Sequence, residues 1–287
     1  MADLLPLEEF NREGIYRALA TSSLPETPSF LKSLRPRFDL HVFDQVESTN
    51  KVLWQMPNAR AGTVAIAHSQ TAGKGQRGKQ WLSQPGGVYL SLSLEPDWPA
   101  EQAGILTLAS AWGIASQFRH LGVPAQIKWP NDLVVTGRKL GGILSESTLE
   151  KGIITQAVIG VGINVCNPVP TTGITWQKLK NFSHINSDSK TSATTLCQVT
   201  AAVLLGIWRG VFYKTHIDSQ TFTDVYQSLL THLNMPVVLD GKTWKIAGIT
   251  DLGHLILSST SHNLVLTDQP VEQLVYIKSG ELSLGYS

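Results

Sequence analysis

Hydrophobic residues recur along this chain with two different periods, and each period predicts a different kind of element. Residues 38–44, 62–70 and 87–94 carry apolar side chains at alternate positions or in short runs, which is typical of strands. Residues 100–121 carry them at helical spacing, the strongest helix signal in the chain. Further strands are predicted at 126–129, 132–136, 139–146 and 153–165, and helices at 7–19, from 48 towards 56, 194–214 and 220–232. A mixed α/β layer is therefore expected.

The pattern changes at Met235, after which short strands alternate with turns at residues 240–241 and 251–253. Such a pattern is typical of a small β-barrel of about 50 residues. Residues 167–173 and 183–195 predict loops around a short helix. We therefore expect an α+β protein with three parts: an N-terminal extension (1–37), a large mixed α/β domain (38–233) that would carry the catalytic site, and a small C-terminal barrel (234–287).

Composition narrows the functional classes. The chain has 287 residues, with 23 Lys and Arg against 22 Asp and Glu, so no global charge directs it to nucleic acid or to an anionic membrane. The N-terminus lacks the basic and apolar regions of a signal peptide, and no long uninterrupted apolar run suggests a spanning helix, so a cytoplasmic location is expected. Cys166 and Cys197 have no metal-ligand spacing and are expected to be free thiols.

A glycine-rich basic loop at residues 73–80 is the first candidate for chemistry. Three glycines within six residues let backbone N–H groups approach an anion closely, and three cations add positive charge. The loop contains Gly73, Lys74, Gly75, Gln76, Arg77, Gly78 and Lys79. It either binds phosphate or is a solvated surface loop. The second possibility stays open because the loop does not match the GxxxxGK[ST] pattern of phosphate-binding loops. Trp81, just after it, either shields a bound ring from water or anchors the next strand.

A second constellation lies on two neighbouring predicted strands. Asp132 follows Lys128-Trp-Pro-Asn131, and Lys139 begins Lys-Leu-Gly-Gly-Ile-Leu-Ser-Glu146, so one carboxylate and one amine lie close enough to orient an anionic substrate together. Gly141 and Gly142 would permit close backbone approach. Taken singly, Asp132 is more typical of a turn and Lys139 of a solvated surface.

Two further polar groups are ambiguous in the same way. Asn164 ends the apolar run that starts at Val158, and it either terminates a central strand or hydrogen-bonds a ribose or phosphate. Residues 48–50, Ser-Thr-Asn, either cap a helix or read a small polar ring.

In this order, residues 48–50, 70–81, 128–132, 139–146 and 160–164 closely resemble the motifs of the biotin protein ligases. The resemblance implies a mixed α/β catalytic domain related to lipoate ligases, followed by an SH3-like barrel. It implies that biotin and MgATP form biotinyl-5′-AMP, which then acylates one lysine of a biotin carboxyl carrier protein, expected to be that of acetyl-CoA carboxylase. Biotin, ATP and Mg²⁺ are the expected small-molecule partners.

The resemblance also implies residue roles. Lys139, Asp132 and Lys74 would be catalytic, with Asp132 as base a hypothesis, and the loop at 73–79 would close over the adenylate. Biotin would contact Ser48, Thr49, Asn50, Gln70, Gly73, Lys74, Gly75, Gln76, Lys139 and Gly141. ATP or the adenylate would contact Lys74, Arg77, Lys79, Trp81, Asn131, Asp132, Lys139 and Asn164. No metal ligand is assigned.

The sequence departs from the family pattern in two places. The loop is usually Gly-Arg-Gly-Arg-x-Gly, whereas Lys74 and Gln76 replace the two arginines here, so looser retention of the adenylate is expected. Residues 1–37 are interrupted by prolines and too short for a DNA-reading domain, so no operator binding is expected. The homodimer formed by some relatives stays open.

Two alternatives remain. A lipoate or octanoate ligase would share the fold, but a long apolar acyl chain does not require the polar set of Ser48, Thr49 and Gln70. A non-catalytic biotin sensor could have lost turnover through Gln76, although Lys139, Asn131 and Asp132 are all present.

Overall fold

The computed structural model describes residues 10–25, 36–179, 195–261, 271–282 and 284–286. The helices are α1 (Arg12–Thr21), α2 (Thr49–Gln55), α3 (Ala103–His120), α4 (Trp176–Leu179), α5 (Leu196–His216) and α6 (Ser219–Gln227). The strands of the main sheet are β1 (Asp39–Val46), β2 (Thr63–Gln70), β3 (Val88–Leu94), β4 (Trp98–Pro99), β5 (Gln126–Lys128), β6 (Asp132–Val135), β7 (Arg138–Glu150) and β8 (Ile153–Ile163). The predicted mixed α/β layer is thus confirmed.

The main sheet has the order β1-β2-β3-β8-β7-β6-β5, with β4 pairing with β8 beside this path. Only β1 and β2 run parallel, and every other neighbouring pair is antiparallel. The register aligns Gly162 of β8 with Gly142 of β7, and Gly160 with Ser91 of β3. Because side chains alternate across a strand, these residues open one face of the central sheet at adjacent positions.

The core contains α3 and α5, which pack closely against each other. A Cβ atom at Gly113 would lie 2.0 Å from the carbonyl oxygen of Gly206, and one at Gly210 would lie 1.9 Å from that of Ala109. Only glycine allows so close an approach at this crossing. Helix α5 is long and apolar enough to cross a membrane by composition alone, but 72% of its most apolar window is buried inside the protein, as in a core helix.

The predicted helix at 220–232 ends five residues early, at Gln227. After it the backbone turns towards the main sheet, where Ile127 of β5 donates to the carbonyl of Leu229 at 2.7 Å and accepts from the N–H of Thr231 at 2.9 Å. The carbonyl of Leu229 and the N–H of Thr231, which would hydrogen-bond within a longer helix, are therefore bonded to β5 instead. The predicted helix at 7–19 corresponds to α1, with residues 7–9 outside the described part of the chain.

The C-terminal strands are β9 (Pro236–Leu239), β10 (Lys242–Ile249), β11 (Leu255–Ser261) and β12 (Val271–Ile277), and they form an antiparallel sheet of order β12-β11-β10-β9. Asp240 and Gly241 both have positive φ, 50° and 73°, the geometry of a tight hairpin turn. The described residues form no closed barrel, so the SH3-like barrel stays a prediction. Neither Cys166 nor Cys197 forms a disulfide within the described part of the chain.

Candidate active site

A polar cavity lies over the central strands β7 and β8, next to the start of α2. Of the residues predicted to contact biotin, eight line it: Ser48, Thr49, Asn50, Gln70, Lys74, Gly75, Gln76 and Lys139. Segments separated by about 90 positions in the chain therefore meet around one volume.

The start of α2 points its polar groups at β2 instead of capping itself. Ser48 occupies the N-cap position, but its side chain makes no capping hydrogen bond, so that part of the capping interpretation is wrong. The backbone N–H and the hydroxyl of Thr49 both donate to Oε1 of Gln70, at 2.8 and 3.2 Å. The Gln70 amide in turn donates to Oγ of Ser83 at 2.7 Å. The start of the helix is thereby tied to the end of β2.

Asn50 is fixed by a second, buried set of hydrogen bonds. Its amide nitrogen donates to Oε2 of Glu146 at 2.7 Å, and its Oδ1 lies 2.6 Å from Oγ of Ser91, which is completely buried. The same Glu146 oxygen accepts from the indole of Trp54 at 3.2 Å. A Cβ atom at Gly160 would lie 2.2 Å from Asn50 Oδ1, so the amide packs directly on the strand backbone. These partners fix the orientation of the amide before any ligand binds.

Ser83, Ser91 and Glu146 were not among the predicted site residues. Ser91 carried a usable signal, because a serine on an otherwise apolar, buried strand needs a hydrogen-bond partner. That signal shows only that a partner exists. The register of β3 against β8, which brings Ser91 under α2, is not visible in the local pattern.

Trp81 separates the polar cavity from a neighbouring groove of about 860 Å³ and lines both. Its ring lies on Gly162, where a Cβ atom would come within 2.3 Å of the indole nitrogen. Lys139 Nζ lies 5.1 Å from the centre of the ring, within the range of a cation–π contact. The indole N–H is buried and has no hydrogen-bond partner among the described residues. Trp81 thus both anchors the loop and forms a wall of two cavities.

Asp132 and Lys139 form the ionic centre of the site. Nζ of Lys139 lies 2.6 Å from Oδ1 of Asp132, and Nζ of Lys128 lies 3.9 Å from Oδ2. Lys128 is buried, and desolvation lowers its pKa to about 8, although the neighbouring Asp132 carboxylate favours its charged form. The sequence prediction that one carboxylate and one amine from neighbouring strands would meet describes this pair.

Tyr286 contacts the same carboxylate from the opposite side. Its hydroxyl donates to Oδ2 of Asp132, and its ring centre lies 3.3 Å from Lys128 Nζ. Burial and the Asp132 carboxylate raise the pKa of Tyr286 well above its usual range, so the hydroxyl stays protonated and acts as donor. The hydroxyl and Asp132 are 154 positions apart in the chain, and no sequence pattern indicated their contact.

The basic loop is largely exposed. Arg77 has a φ of 57° and donates to the carbonyl of Leu282 at 3.1 Å. Neither Lys74 nor Lys79 takes part in an ion pair of the described residues, and both line cavities beside the polar pocket. Cations without an acidic partner are available to an anionic ligand.

Four of the predicted site residues differ from the others in position or in the use of their side chains: Gly73, Asn131, Gly141 and Asn164. Gly142 lines the polar cavity, whereas the Cβ direction of Gly141 points at Ile163, on the other side of the strand. Gly73 is buried against Ser83 outside that cavity. The remaining two residues use their side-chain amides within the fold: Asn131 donates to the carbonyl of Ile143 at 2.8 Å, and Asn164 donates to that of Lys139 at 3.3 Å. Asn131 also lines the polar cavity and Asn164 the neighbouring groove.

The described residues contain no cluster of three or more His, Cys, Asp or Glu side chains that could hold a metal ion. Both oxygens of Asp132, the acid at the ionic centre, already face cations or a hydroxyl. No residue of the described part of the chain is therefore assigned as a metal ligand.

Fold and site together define a mixed α/β domain with a polar cavity over its central sheet and a groove lined by lysines beside that cavity. Residues 42–164, a little under half of the chain, match the family model described as the biotin/lipoate A/B protein ligase family. The bifunctional ligase/repressor BirA of Bacillus subtilis is 40% identical over 176 residues, which cover 55% of this chain and 54% of that relative. The biotin–[acetyl-CoA-carboxylase] ligase of Paracoccus denitrificans is 31% identical over 125 residues, which cover 42% of this chain and 52% of the relative.

The chain therefore spans about half the length of these curated relatives. Among solved structures, the biotin protein ligase of Aquifex aeolicus in complex with biotin and ATP has a TM-score of 0.64 and is 25% identical. The match covers 87% of this chain and 99% of that one. The structural likeness thus extends well beyond residues 42–164.

Proposed function

We propose that this protein activates biotin with ATP to biotinyl-5′-AMP and transfers the biotinyl group to a lysine of a biotin carboxyl carrier protein. The observation that carries the proposal is the position of Lys139. This lysine lines both the polar cavity and the neighbouring groove beside Trp81, and it pairs with Asp132. A carboxylate in the cavity and a phosphate in the groove would both face this amine. The similarity to ligases named for biotin and acetyl-CoA carboxylase supports the same activity.

The polar cavity suits the ureido ring of biotin. That ring offers two N–H donors and one carbonyl acceptor, and the cavity wall offers hydroxyl and amide groups of both kinds at Ser48, Thr49, Asn50 and Gln70. Because Gln70 and Ser91 already hold Thr49 and Asn50 in place, little ordering is required when the ligand binds.

Adenylation brings two anions together, since the biotin carboxylate attacks the α-phosphate of ATP and pyrophosphate leaves. Cations at the reacting oxygens stabilise the charge that develops there. Lys139 would act at the carboxylate and the α-phosphate, and the exposed Lys74, Arg77 and Lys79 would act on the phosphates when the loop closes over them. Mg²⁺ would enter with the ATP phosphates, which it commonly prefers as ligands, and would neutralise their charge.

In the transfer step, the neutral amine of the carrier lysine bonds to the biotinyl carbonyl carbon. The bond from that carbon to the phosphate oxygen breaks, AMP leaves, and the nitrogen loses a proton. Asp132 lies at the place where this proton could be accepted, and its base role is part of the proposal. An Asp132→Asn variant that transferred biotin from preformed biotinyl-5′-AMP at the wild-type rate would reject that role.

The wider assignment follows the same relatives. We assign the carrier of acetyl-CoA carboxylase as partner, residues 38–233 as the catalytic unit and residues 234–287 as an SH3-like domain. We also propose, from the sequence, that the protein is cytoplasmic and does not bind nucleic acid. A homodimer like that of some relatives stays open.

The decisive experiment measures pyrophosphate release from MgATP by the purified protein. Biotin and lipoate are compared, each with and without a carrier domain that bears its target lysine, and a carrier with that lysine replaced by arginine is the matched control. We expect release only with biotin, and multiple turnovers only with the intact carrier. Release with lipoate alone would indicate a lipoate ligase, and biotin binding without release would indicate a sensor.

A further inference from the structure

The C-terminal segment, by which we mean residues 280–282 and 284–286, forms one wall of a groove of about 1060 Å³ beside the ionic centre. The opposite walls are the basic loop and residues 128–132. Leu284 is buried, and the carbonyl of Leu282 accepts a hydrogen bond from Arg77. The segment therefore links the basic loop to the carboxylate at which the two ligand sites meet.

Asp132 is the only acidic residue among the described residues that line this groove. Two donors hydrogen-bond to it, Lys139 at Oδ1 and the Tyr286 hydroxyl at Oδ2, and Lys128 Nζ lies 3.9 Å from Oδ2. An amine that donated to Oδ2 from the groove would compete with the Tyr286 hydroxyl for that oxygen.

Of the three groups that face Asp132, Tyr286 is the one that an incoming amine can replace. Lys128 and Lys139 lie on β5 and next to the start of β7, within the hydrogen-bonded main sheet, and Lys128 is only 6% exposed. Tyr286 is half-buried and lies outside both sheets. Its O–H donates to Oδ2 as an amine N–H would, so one donor can take the place of the other without leaving the carboxylate unpaired.

Resting on the proposed function, we propose that Tyr286 is a specificity-determining residue for the transfer step. Its hydroxyl occupies the position at Asp132 that the acceptor amine needs, and its ring narrows the groove through which that amine arrives. A carrier protein that docks over the groove displaces the segment and presents its lysine. A small amine or a water molecule has no such docking energy, so the adenylate is protected from it.

The test starts from preformed biotinyl-5′-AMP, so that adenylation does not enter the comparison. Single-turnover rates are measured with the carrier domain and with hydroxylamine as acceptors, for the wild type, Tyr286→Phe and Tyr286→Ala. Tyr276, 55% exposed on β12, provides the matched control Tyr276→Ala. We expect the ratio of hydroxylamine to carrier transfer to rise about tenfold in Tyr286→Phe, the order of one hydrogen bond to a charged group. Tyr286→Ala, which also loses the ring, should show a larger rise, and Tyr276→Ala none.

A change of equal size with both acceptors would overturn the proposal, because it would make Tyr286 a positioning residue for Asp132. An unchanged ratio in both Tyr286 variants would also overturn it. If Tyr286→Ala does not fold, Tyr286→Phe alone decides. The proposal is then overturned if this variant shows both an unchanged acceptor ratio and an unchanged rate of hydrolysis of biotinyl-5′-AMP. A wild-type protein that cannot transfer biotin from the adenylate to the carrier would instead reject the proposed function itself.

Discussion

The polar cavity around Thr49 and Asn50 is buried and held by hydrogen bonds to Gln70 and Ser91, whereas the basic loop at residues 73–79 is exposed and makes few contacts outside itself. Both regions belong to one candidate site, yet only the first has its geometry fixed by the fold. The difference matches the two proposed ligands: a small rigid ring can bind to a preformed wall, but in the proposed reaction a nucleotide must enter and pyrophosphate must leave. Substitutions in the two regions should therefore have different effects.

The largest effect is expected where the two regions meet. Lys139→Ala should lower biotin-dependent pyrophosphate release by about 10²–10³-fold, the range for losing one charge-stabilising donor at a reacting oxygen. The rate is measured with saturating biotin and MgATP. Lys245→Ala, at an exposed lysine on β10, is the control and should leave the rate unchanged. Similar rates in both variants would remove Lys139 from the reaction.

A change in the preformed wall should act on biotin alone. Gln70→Ala leaves the N–H of Thr49 without its acceptor and removes the amide that donates to Ser83, so the KM for biotin should rise by about 10- to 100-fold. The KM for ATP should change little. Both constants are measured by pyrophosphate release, with the exposed Gln84→Ala as control. A larger effect on ATP than on biotin would contradict the separation of the two regions.

The cationic end should respond to pH through Lys128. A lysine whose pKa is lowered to about 8 keeps its charge below that pH and loses it as the pH rises through this value. If the charge supports phosphate binding, adenylation should fall several-fold above pH 8, and Lys128→Arg, which stays charged, should flatten the profile. The rate is followed from about pH 6.5 to 9.5, with Lys245→Arg as control. Identical profiles for wild type and Lys128→Arg would exclude this role.

The smallest effect is expected in the exposed loop itself. Gln76→Arg should reduce the share of biotinyl-5′-AMP released into solution by about two- to fivefold, because a solvated cation contributes little to binding a phosphate. The released share is measured by filtration and chromatography in the absence of carrier, with Gln84→Arg as control. A wild-type protein that retains all of its adenylate would show that the missing arginines do not loosen the site.

Much of the fold follows from local patterns. The alternating segments before Ala100 became β1, β2 and β3, and the long helical pattern became α3, because the spacing of apolar residues reflects the surfaces that each element buries. The end of α6 was missed because its boundary depends on a pairing with Ile127, a hundred residues away in the chain.

The candidate site divides in the same way. The residue types that can read a polar ring or hold an anion, such as Thr49, Gln70 and Lys139, stand out in the sequence because their chemistry and spacing are local properties. Their partners do not stand out. Ser91 under Asn50, Trp81 on Gly162 and Tyr286 at Asp132 are contacts between distant segments, and they depend on strand register and on where the C-terminal segment packs.

The sequence by itself thus determined which chemical groups this protein offers and on which elements they lie. The tertiary structure alone decided which of those groups are preorganised, which stay exposed, and which hydroxyl contacts the carboxylate of Asp132. The physical reason is that periodicity records the burial of each element's own face, whereas hydrogen-bond partners are chosen by the packing of elements far apart in the chain.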